Sequence, residues 1–404
     1  MSFELSKTFC VMPWVGISGD MDGKFRLCCF DNVSREENTF WTIADRKIEQ
    51  HWNQEALREI RIKMLKWEKV NHCRTCYKRE KLTGLSERQK SNNKYRQYIT
   101  SIYSSTNKSG HTTSPILYLD IRFSNICNLS CRMCYSASSS GRIELDRLLG
   151  KSEFLRIYSW FWKESDIFNS WFFLSNLKEI YIAWWEPLLD KDQFNFIQSL
   201  TDRWLASKIK LTYNTNLTVL PERLFSLLQN FKEVHIIVSC DGYKESYEYI
   251  RIGASWNIFL QNLIQLKNFF IKNPALRYSI SINTVLQRDN ILDIPKLYIF
   301  FKKLWNIPIT INTLVSPSYL AVEYILNKRK KEIQIFYDVF IYKFKSDFPE
   351  IEEDLSFISD MMSRTTESLV EEKKYRKKTE IIDAYMNRRN QLWVWEKKDN
   401  IDTE

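Results

Sequence analysis

Short runs of apolar residues recur between residues 116 and 312, and longer amphipathic segments separate them. The six runs are residues 116–121, 179–183, 209–213, 234–238, 278–282 and 309–312. In two of the intervening segments, residues 192–206 and 256–271, apolar positions recur at helical spacing. Because strands that alternate with helices are typical of parallel α/β folds, the pattern predicts a parallel α/β barrel or sheet.

The regions on either side of these runs have different patterns. Upstream, a strand at residues 25–30 is followed by a helix that leads into a pair of cysteines. Residues 101–114 are polar and turn-rich, which is typical of a linker. Beyond residue 319 the chain is helical and charged. We therefore predict four parts, which are a cysteine-rich module at 1–100, a linker at 101–115, the α/β domain at 116–320 and a helical extension at 321–404.

The composition is that of an ordinary globular protein, with 44% hydrophobic and 27% charged residues. The first residues lack the pattern of a secretion signal, and no stretch of about 18 apolar residues occurs. We therefore expect a cytoplasmic protein without a membrane partner. Much of the net charge of +10 lies in runs of lysine and arginine. Solvated helix faces explain such runs better than a nucleic-acid partner does.

Three cysteines, Cys127, Cys131 and Cys134, have the spacing CxxxCxxC directly after the first strand-like run. A compact loop can direct three thiols with this spacing at one four-iron cluster, which leaves one iron without a protein ligand. An open iron can bind the amino and carboxylate groups of S-adenosylmethionine (SAM), and electron transfer into the sulfonium then yields a 5′-deoxyadenosyl radical. The alternative is a zinc site, which usually has four ligands in two CxxC pairs.

This region resembles the radical SAM superfamily over roughly residues 116–320, and the resemblance implies a partial (β/α)6 barrel of the TIM type. It also implies that polar residues at successive strand ends bind SAM, where parallel α/β folds place their sites. Ser239 and Asp241 look like the family's Ser-x-Asp, and Arg251 resembles the arginine that pairs with the SAM carboxylate. By this resemblance, the predicted SAM-binding residues are Met133, Glu186, Asn214, Asn216, Ser239, Asp241, Arg251 and Asn283.

Four further cysteines precede the barrel, namely Cys10, Cys28, Cys73 and Cys76. Four thiols can fully ligate a second four-iron cluster, and this arrangement resembles the twitch module, the half-size relative of the SPASM domain. Zinc is the alternative, because all-cysteine sites suit it as well. Cys29 is an alternative to Cys28, and only one of them is expected to bind metal because consecutive strand residues point to opposite faces.

The motif after the second barrel strand departs from the family pattern. The family usually has Gly-Gly-Glu-Pro there, with a backbone that approaches SAM, whereas this chain has Trp184-Trp185-Glu186-Pro187. In one hypothesis the site is degenerate and no longer binds SAM normally. In the other, the source genome reads the UGA codon as glycine, and the printed tryptophans are misread codons.

A shortage of glycine favours the misread codons. The chain has only 9 glycines but 14 tryptophans in 404 residues, whereas glycine is normally about 7% of a protein. Trp67 and Trp305 also occupy turn-like positions where glycine would be ordinary. Trp14, Trp52 and Trp256 instead match tryptophans that the family resemblance leads us to expect.

We therefore expect a radical SAM enzyme that abstracts a hydrogen atom from a peptide or small molecule. The resemblance implies an auxiliary [4Fe-4S] cluster and an electron donor such as flavodoxin or ferredoxin. No catalytic residue is assigned, although Cys240, Tyr135 and Tyr213 lie near strand ends, where a proton or hydrogen donor would act. The rival interpretations are an impaired cluster- or zinc-binding protein, blocked at Trp184 and Trp185, and a nucleic-acid-modifying radical SAM enzyme.

Overall fold

The computed structural model describes residues 6–20, 23–31, 40, 48–84, 86–153, 155–158, 170–183, 185–364 and 367–399. Within these ranges eight strands form one sheet in the order β2-β1-β3-β4-β5-β6-β7-β8. They are β1 (Gly16–Gly19), β2 (Phe25–Arg26), β3 (Tyr118–Ile121), β4 (Glu179–Ile182), β5 (Lys210–Thr215), β6 (Glu233–Ser239), β7 (Tyr278–Leu286) and β8 (Ile309–Thr313). Neighbouring strands are parallel except for the antiparallel pair β1 and β2. Because β2 and β8 stay at opposite edges of this described sheet, the barrel is partial.

The helices in the described part of the chain precede, connect and follow the strands. They are α1 (Met12–Val15), α2 (Ile48–Trp52), α3 (Glu55–Leu65), α4 (Arg74–Thr83), α5 (Glu87–Lys94), α6 (Ile99–Ser104), α7 (Ile143–Leu148), α8 (Trp171–Leu174), α9 (Lys191–Asp202), α10 (Glu222–Leu228), α11 (Glu245–Ile250), α12 (Trp256–Lys272), α13 (Ile294–Trp305), α14 (Asn327–Phe344), α15 (Ile351–Arg364) and α16 (Leu369–Asp399). Strands and helices therefore alternate from β4 to β8, as the hydrophobic pattern predicts.

All six predicted barrel strands are present as β3 to β8, and α9 and α12 occupy the two predicted helical segments. The α/β fold class with a partial barrel is thus confirmed. The predicted strand at residues 25–30 is shorter than expected, because β2 ends at Arg26. Cys28 and Cys29 lie in the bend and turn that follow. The expectation that strand alternation separates these two side chains is therefore wrong.

Strand β1 has no counterpart among the predicted strands, and it joins the cysteine-rich region to the barrel sheet. It pairs in parallel with β3, with Ser18 opposite Asp120. The polar segment at 101–114 also packs against this region, since the Trp14 indole N–H donates to Thr106 Oγ1 at 2.9 Å and that of Trp52 donates to the Ser114 carbonyl at 3.0 Å. The boundaries of the four predicted parts stay a prediction.

The two faces of the sheet differ in polarity. Alternate residues of β6 and β7 are buried, and this apolar face joins one core with residues of α9, α10, α12 and α13. We call the other side the open face. A row of register partners crosses it from β1 to β7, formed by Ser18, Asp120, Tyr181, Thr212, His235 and Ser279. The open face is therefore the polar side of the barrel.

The C-terminal helices form a second core and also reach the barrel. Helices α14 and α15 pack together through buried residues that include Ile333, Tyr337 and Leu355. From α16, Asp383 forms an ion pair with Arg132, which lies in the loop of the three barrel cysteines. The final residues, 400–404, where we predict fraying, lie outside the described ranges.

Two tryptophans end helices in a left-handed backbone conformation. Trp67 has φ 66° after α3, and Trp204 has φ 60° after α9. In both places the next amide N–H donates to a carbonyl five residues back at 2.9 Å, which defines the Schellman motif and usually places glycine at this position. Gly150, with φ 77°, fills the same position after α7. Trp305 is instead the last residue of α13, and Asn306 takes the left-handed conformation, so the turn expected at Trp305 is wrong.

Candidate active site and cluster centres

The loop that carries the three barrel cysteines begins at Cys127, six residues after β3, and is anchored on both sides. Ser130 N–H donates to the Ile252 carbonyl and Arg132 N–H to the Ile250 carbonyl, each at 2.9 Å. Gly141 lies against the other side, where an added Cβ would meet the Leu129 carbonyl oxygen at 2.7 Å. The loop is therefore held between the segment that follows α11 and the segment that precedes α7.

Arg142, a residue that the sequence analysis does not single out, organises this loop. Its buried guanidinium donates to the carbonyls of Ser130 at 3.2 Å and Cys131 at 2.8 Å. The same group forms an ion pair with Asp146 at 3.0 Å. Because a buried charge is stable only with such partners, Arg142 ties the cysteine loop to α7.

The structure brings the thiols of Cys127, Cys131 and Cys134 together. The Cys131 thiol donates to the sulfur of Cys134, which raises the pKa of Cys131 and lowers that of Cys134. Burial, and next the nearby Cys131 thiol, raise the pKa of Cys127 to about 12. Thiols with raised pKa values stay protonated at neutral pH unless a metal displaces the proton. The donor set therefore suits an iron–sulfur cluster ligated by thiolates.

Glu186 is buried beside this loop and is held by three donors. Its carboxylate accepts from Thr215 Oγ1 and the Asn216 N–H, both at 2.6 Å, and from the Leu188 N–H at 3.1 Å. Burial outweighs these hydrogen bonds and raises its pKa to about 7. Asn216 Nδ2 in turn lies 3.9 Å from the sulfur of Cys127. Of the predicted SAM contacts, Glu186 and Asn216 thus lie next to the thiols.

Asp241 and Arg251 form a buried ion pair, a relation that their sequence positions do not reveal. Arg251 Nη2 lies 2.7 Å from Asp241 Oδ2, and Asp241 Oδ1 accepts from the Val285 N–H at 2.7 Å. After the larger effects of their mutual hydrogen bond and of burial, the charge of Arg251 favours the thiolate forms of Cys131 and Cys134. Arg251 Nε is buried and has no hydrogen-bond partner. The ion pair therefore leaves one guanidinium donor available near the thiols.

Three other predicted SAM contacts, Asn214, Ser239 and Asn283, lie in β5, β6 and β7, and the fourth, Met133, lies in the cysteine loop. Ser239 Oγ donates to Asn214 Oδ1 at 2.9 Å, and Ser239 is the register partner of Asn283. The Met133 sulfur accepts from Gln287 Nε2 at 3.8 Å. Gln287 follows β7 directly, and its buried Oε1 has no partner. Gln287 is not among the residues predicted from the sequence, although a polar residue directly after a strand is the signal that would have identified it.

The second set of thiols lines a cavity of about 110 Å³. Its walls include the four predicted ligands Cys10, Cys28, Cys73 and Cys76, and also Cys29. The thiols of Cys10 and Cys73 both raise the pKa of Cys28, after the larger effects of burial and of the neighbouring Cys29. The four predicted ligands thus surround one space, which suits a cluster that takes four thiolates.

Cys29 also lines this cavity, but the groups that influence its pKa differ from those that influence the pKa of Cys28. After burial, the largest influences on its thiol are Asp120, which raises its pKa, and Arg122, which lowers it. Asp120 lies in strand β3 and Arg122 directly follows that strand. Within the described ranges, no group of three or more His, Cys, Asp or Glu side chains is arranged to hold a single metal ion. All nine cysteines are free of disulfides.

The Trp184-Trp185 motif is only partly visible. Trp184 lies outside the described residues. Trp185 is buried, and its indole N–H has no hydrogen-bond partner, which is costly for a buried donor. By contrast, the indole N–H groups of Trp14 and Trp52 are both satisfied.

The three candidate donor side chains have different surroundings. Cys240 is fully buried, and its thiol donates to the Gly242 carbonyl at 3.4 Å. Tyr213 is also fully buried, and its hydroxyl donates to Gln193 of α9, on the apolar side of the sheet. Tyr135 is exposed. Only Tyr135 is therefore accessible to a molecule in solution, and its role as a donor stays a prediction.

Two family models match this chain. The model described as the radical SAM superfamily matches residues 121–300, and that described as an iron–sulfur cluster-binding domain, SPASM, matches residues 10–77. No curated protein matches the chain. The first match spans β3 to most of α13, and the second spans the four N-terminal thiols.

Several solved structures are similar in general fold. The AdoMet-bound structure of native anSMEcpe is 17% identical, with a TM-score of 0.39 over 58% of this chain and 62% of that chain. SuiB of Streptococcus suis is 13% identical, with a TM-score of 0.34 over 84% of this chain and 70% of that chain. A structure of SuiB bound to the precursor peptide SuiA is 15% identical, with a TM-score of 0.35 over 64% and 52%. The chain thus matches less than two thirds of anSMEcpe.

Proposed function

Because the chain belongs to the radical SAM superfamily and carries a SPASM-type iron–sulfur domain, we propose that it cleaves SAM reductively and abstracts a hydrogen atom from a peptide. The observation that carries the proposal is the group of three thiols beside the vacant Arg251 donor. An enzyme of this superfamily needs both a cluster with an open iron and a partner for the SAM carboxylate.

The cluster and SAM fit the residues present. Cys127, Cys131 and Cys134 would hold the first [4Fe-4S] cluster, whose open iron and low-potential electron supply the radical chemistry when SAM is bound. The buried, unpartnered Arg251 Nε offers a donor for the carboxylate of SAM, and the unpartnered Gln287 Oε1 offers an acceptor for its amino group. Asp241 keeps the guanidinium in place through its ion pair.

The second set of thiols supports an auxiliary [4Fe-4S] cluster as electron relay or substrate anchor. Cys10, Cys28, Cys73 and Cys76 would hold it, in the cavity that they line together. We propose Cys28 over Cys29 because the thiols of Cys10 and Cys73 influence the pKa of Cys28, whereas Asp120 and Arg122 are the main charges that act on Cys29. Flavodoxin or ferredoxin would supply the electrons. The nine unpaired thiols fit a reducing cytoplasm, and no helix among the described residues is long and apolar enough to cross a membrane.

The decisive experiment measures 5′-deoxyadenosine. Full-length protein with glycine at positions 184 and 185, reconstituted anaerobically with iron and sulfide, is given SAM and dithionite, and the product is quantified by mass spectrometry. We expect 5′-deoxyadenosine from this protein and none from the same protein with Cys127, Cys131 and Cys134 replaced by alanine. Equal product from both proteins would contradict the proposal.

A parallel assay of the protein with the printed sequence tests the rival interpretation, in which Trp184 and Trp185 block the site. Two indoles at positions 184 and 185 fill the space that the family leaves to a glycine backbone. If the glycine form cleaves SAM and the printed form does not, the natural protein is an enzyme only with glycines there. If neither form cleaves SAM while both hold iron, the chain is an iron–sulfur binding protein without this activity.

A further inference from the structure

The row of polar residues on the open face contains two buried atoms without partners. Asp120 on β3, Tyr181 on β4 and Thr212 on β5 are successive register partners, so their side chains share the open face. Asp120 and Thr212 are almost completely buried, yet Asp120 Oδ1 and Thr212 Oγ1 have no hydrogen-bond partner. A buried polar atom without a protein partner is costly, so each such atom is suited to a bound water or a ligand group.

The rest of the Asp120 side chain is fully engaged. Its Oδ2 accepts from Ser18 Oγ at 3.0 Å and lies 3.5 Å from Arg122 Nη2. Arg122 is itself buried, and therefore balances the charge of the carboxylate. A second cation beside Arg122 would be repelled. The vacant Oδ1 is therefore suited to a neutral N–H or O–H group.

Thr212 lies on the far side of Tyr181 from Asp120. Two strand spacings place the backbones of Asp120 and Thr212 about 10 Å apart. A small group between them can donate to Asp120 and accept from the hydroxyl of Thr212 or Tyr181. An amide, as in a peptide backbone or a carboxamide side chain, has both a donor and an acceptor. From these contacts we infer that Asp120 and Thr212 form a subsite for an amide group of the substrate, an inference that rests on the proposed function.

The position of this subsite agrees with a role in substrate binding. Tyr118, two residues before Asp120 on β3, lines the cavity of the auxiliary thiols. Strand β3, which carries Asp120, leads directly into the loop of Cys127. A molecule held at Asp120 would therefore lie between the two groups of thiols.

The test uses two small probes, acetamide and N,N-dimethylacetamide, and saturation-transfer NMR on the full-length, cluster-loaded protein. Only acetamide has an N–H to donate to Asp120, so we expect it to bind about fivefold or more tightly than its dimethyl analogue. Asp120→Asn abolishes this preference, because Ser18 and Arg122 retain the side-chain oxygen and turn the NH2 group toward the vacant side, where it can donate to the carbonyl of either probe. Ser279→Ala, at the exposed end of the same row, leaves the preference unchanged.

A second variant covers the case in which Asp120→Asn does not fold, which its iron content and thermal unfolding reveal. Thr212→Val keeps the side-chain shape, and we expect it to weaken acetamide binding by about fivefold. Equal binding of both probes to the unmodified protein, or an unchanged preference in the folded Asn variant, overturns the inference. The probes are measured without SAM or reductant, so loss of SAM cleavage and loss of this subsite are observed separately.

Discussion

Trp67 and Trp204 allow a quantitative test of whether printed tryptophans stand at glycine positions. Both residues have left-handed backbones, a conformation that costs an L-residue roughly 1–2 kcal/mol. Burial of their side chains adds little stability, since Trp67 is 58% and Trp204 is 85% exposed. Glycine avoids the strain but loses about 0.5–1 kcal/mol more through its greater flexibility in the unfolded chain. We therefore expect Trp67→Gly and Trp204→Gly to stabilise the protein by about 0.5–1 kcal/mol each.

Urea denaturation of the cluster-loaded protein measures this change. Trp305→Gly is the matched control, because Trp305 is helical and packs against the core. Glycine there costs about 1 kcal/mol in helix propensity, in addition to the lost packing. Trp52→Gly is a second control, because truncation of a buried Trp typically costs about 3–5 kcal/mol.

The sign of the change in unfolding free energy decides whether glycine is the natural residue at positions 67 and 204. A rise in the urea midpoint for the variants at 67 and 204, with a fall for those at 305 and 52, supports glycine at the first two positions. A fall at all four positions would refute the argument from backbone conformation. The mass of the intact protein from its natural source checks the hypothesis directly, since each Trp read as Gly lowers that mass.

Two further predictions concern the thiols and Glu186. Cys28→Ala should lose the iron of one cluster on reconstitution, whereas Cys29→Ala should keep it, because the thiols of Cys10 and Cys73 influence the pKa of Cys28 but are not among the main influences on that of Cys29. Similar iron contents would contradict this assignment. Burial raises the pKa of Glu186 to about 7, so the folded protein binds this proton more tightly than the unfolded chain, whose carboxyl has a pKa of about 4.3. The resulting stabilisation is complete below about pH 4 and is lost as the pH rises through about 7. In urea titrations between about pH 4 and pH 7, the unfolding free energy of the unmodified protein relative to that of Glu186→Gln should fall by about 3 kcal/mol. If the two proteins give parallel curves of unfolding free energy against pH, Glu186 does not titrate in this range.

The hydrophobic pattern predicts β3 to β8 because each of these strands contains a short apolar run, and β4, β6 and β7 bury alternate side chains. It does not predict β1, whose sequence Gly-Ile-Ser-Gly has one apolar side chain. That strand depends on pairing with β2 and β3, and pairing between residues about 100 positions apart in sequence leaves no local signal. The strand predicted at residues 25–30 is a similar case. Its local sequence is strand-like, but β2 ends at Arg26, and Cys28 and Cys29 lie in a bend and a turn.

Cysteine spacing predicts which thiols lie together. The hydrogen-bond and ion-pair partners of the polar residues depend instead on long-range packing, which the sequence does not reveal. Arg251 was expected as a direct partner of SAM, and the structure gives it a second task, since Asp241 neutralises it while Nε stays vacant. A lone buried guanidinium beside three thiols would be unstable without a carboxylate. If Asp241 serves to hold Arg251 in place, Asp241→Asn should weaken SAM binding while the iron bound by Cys127, Cys131 and Cys134 stays unchanged. Equal loss of iron and of SAM binding would mean that the ion pair maintains the loop itself.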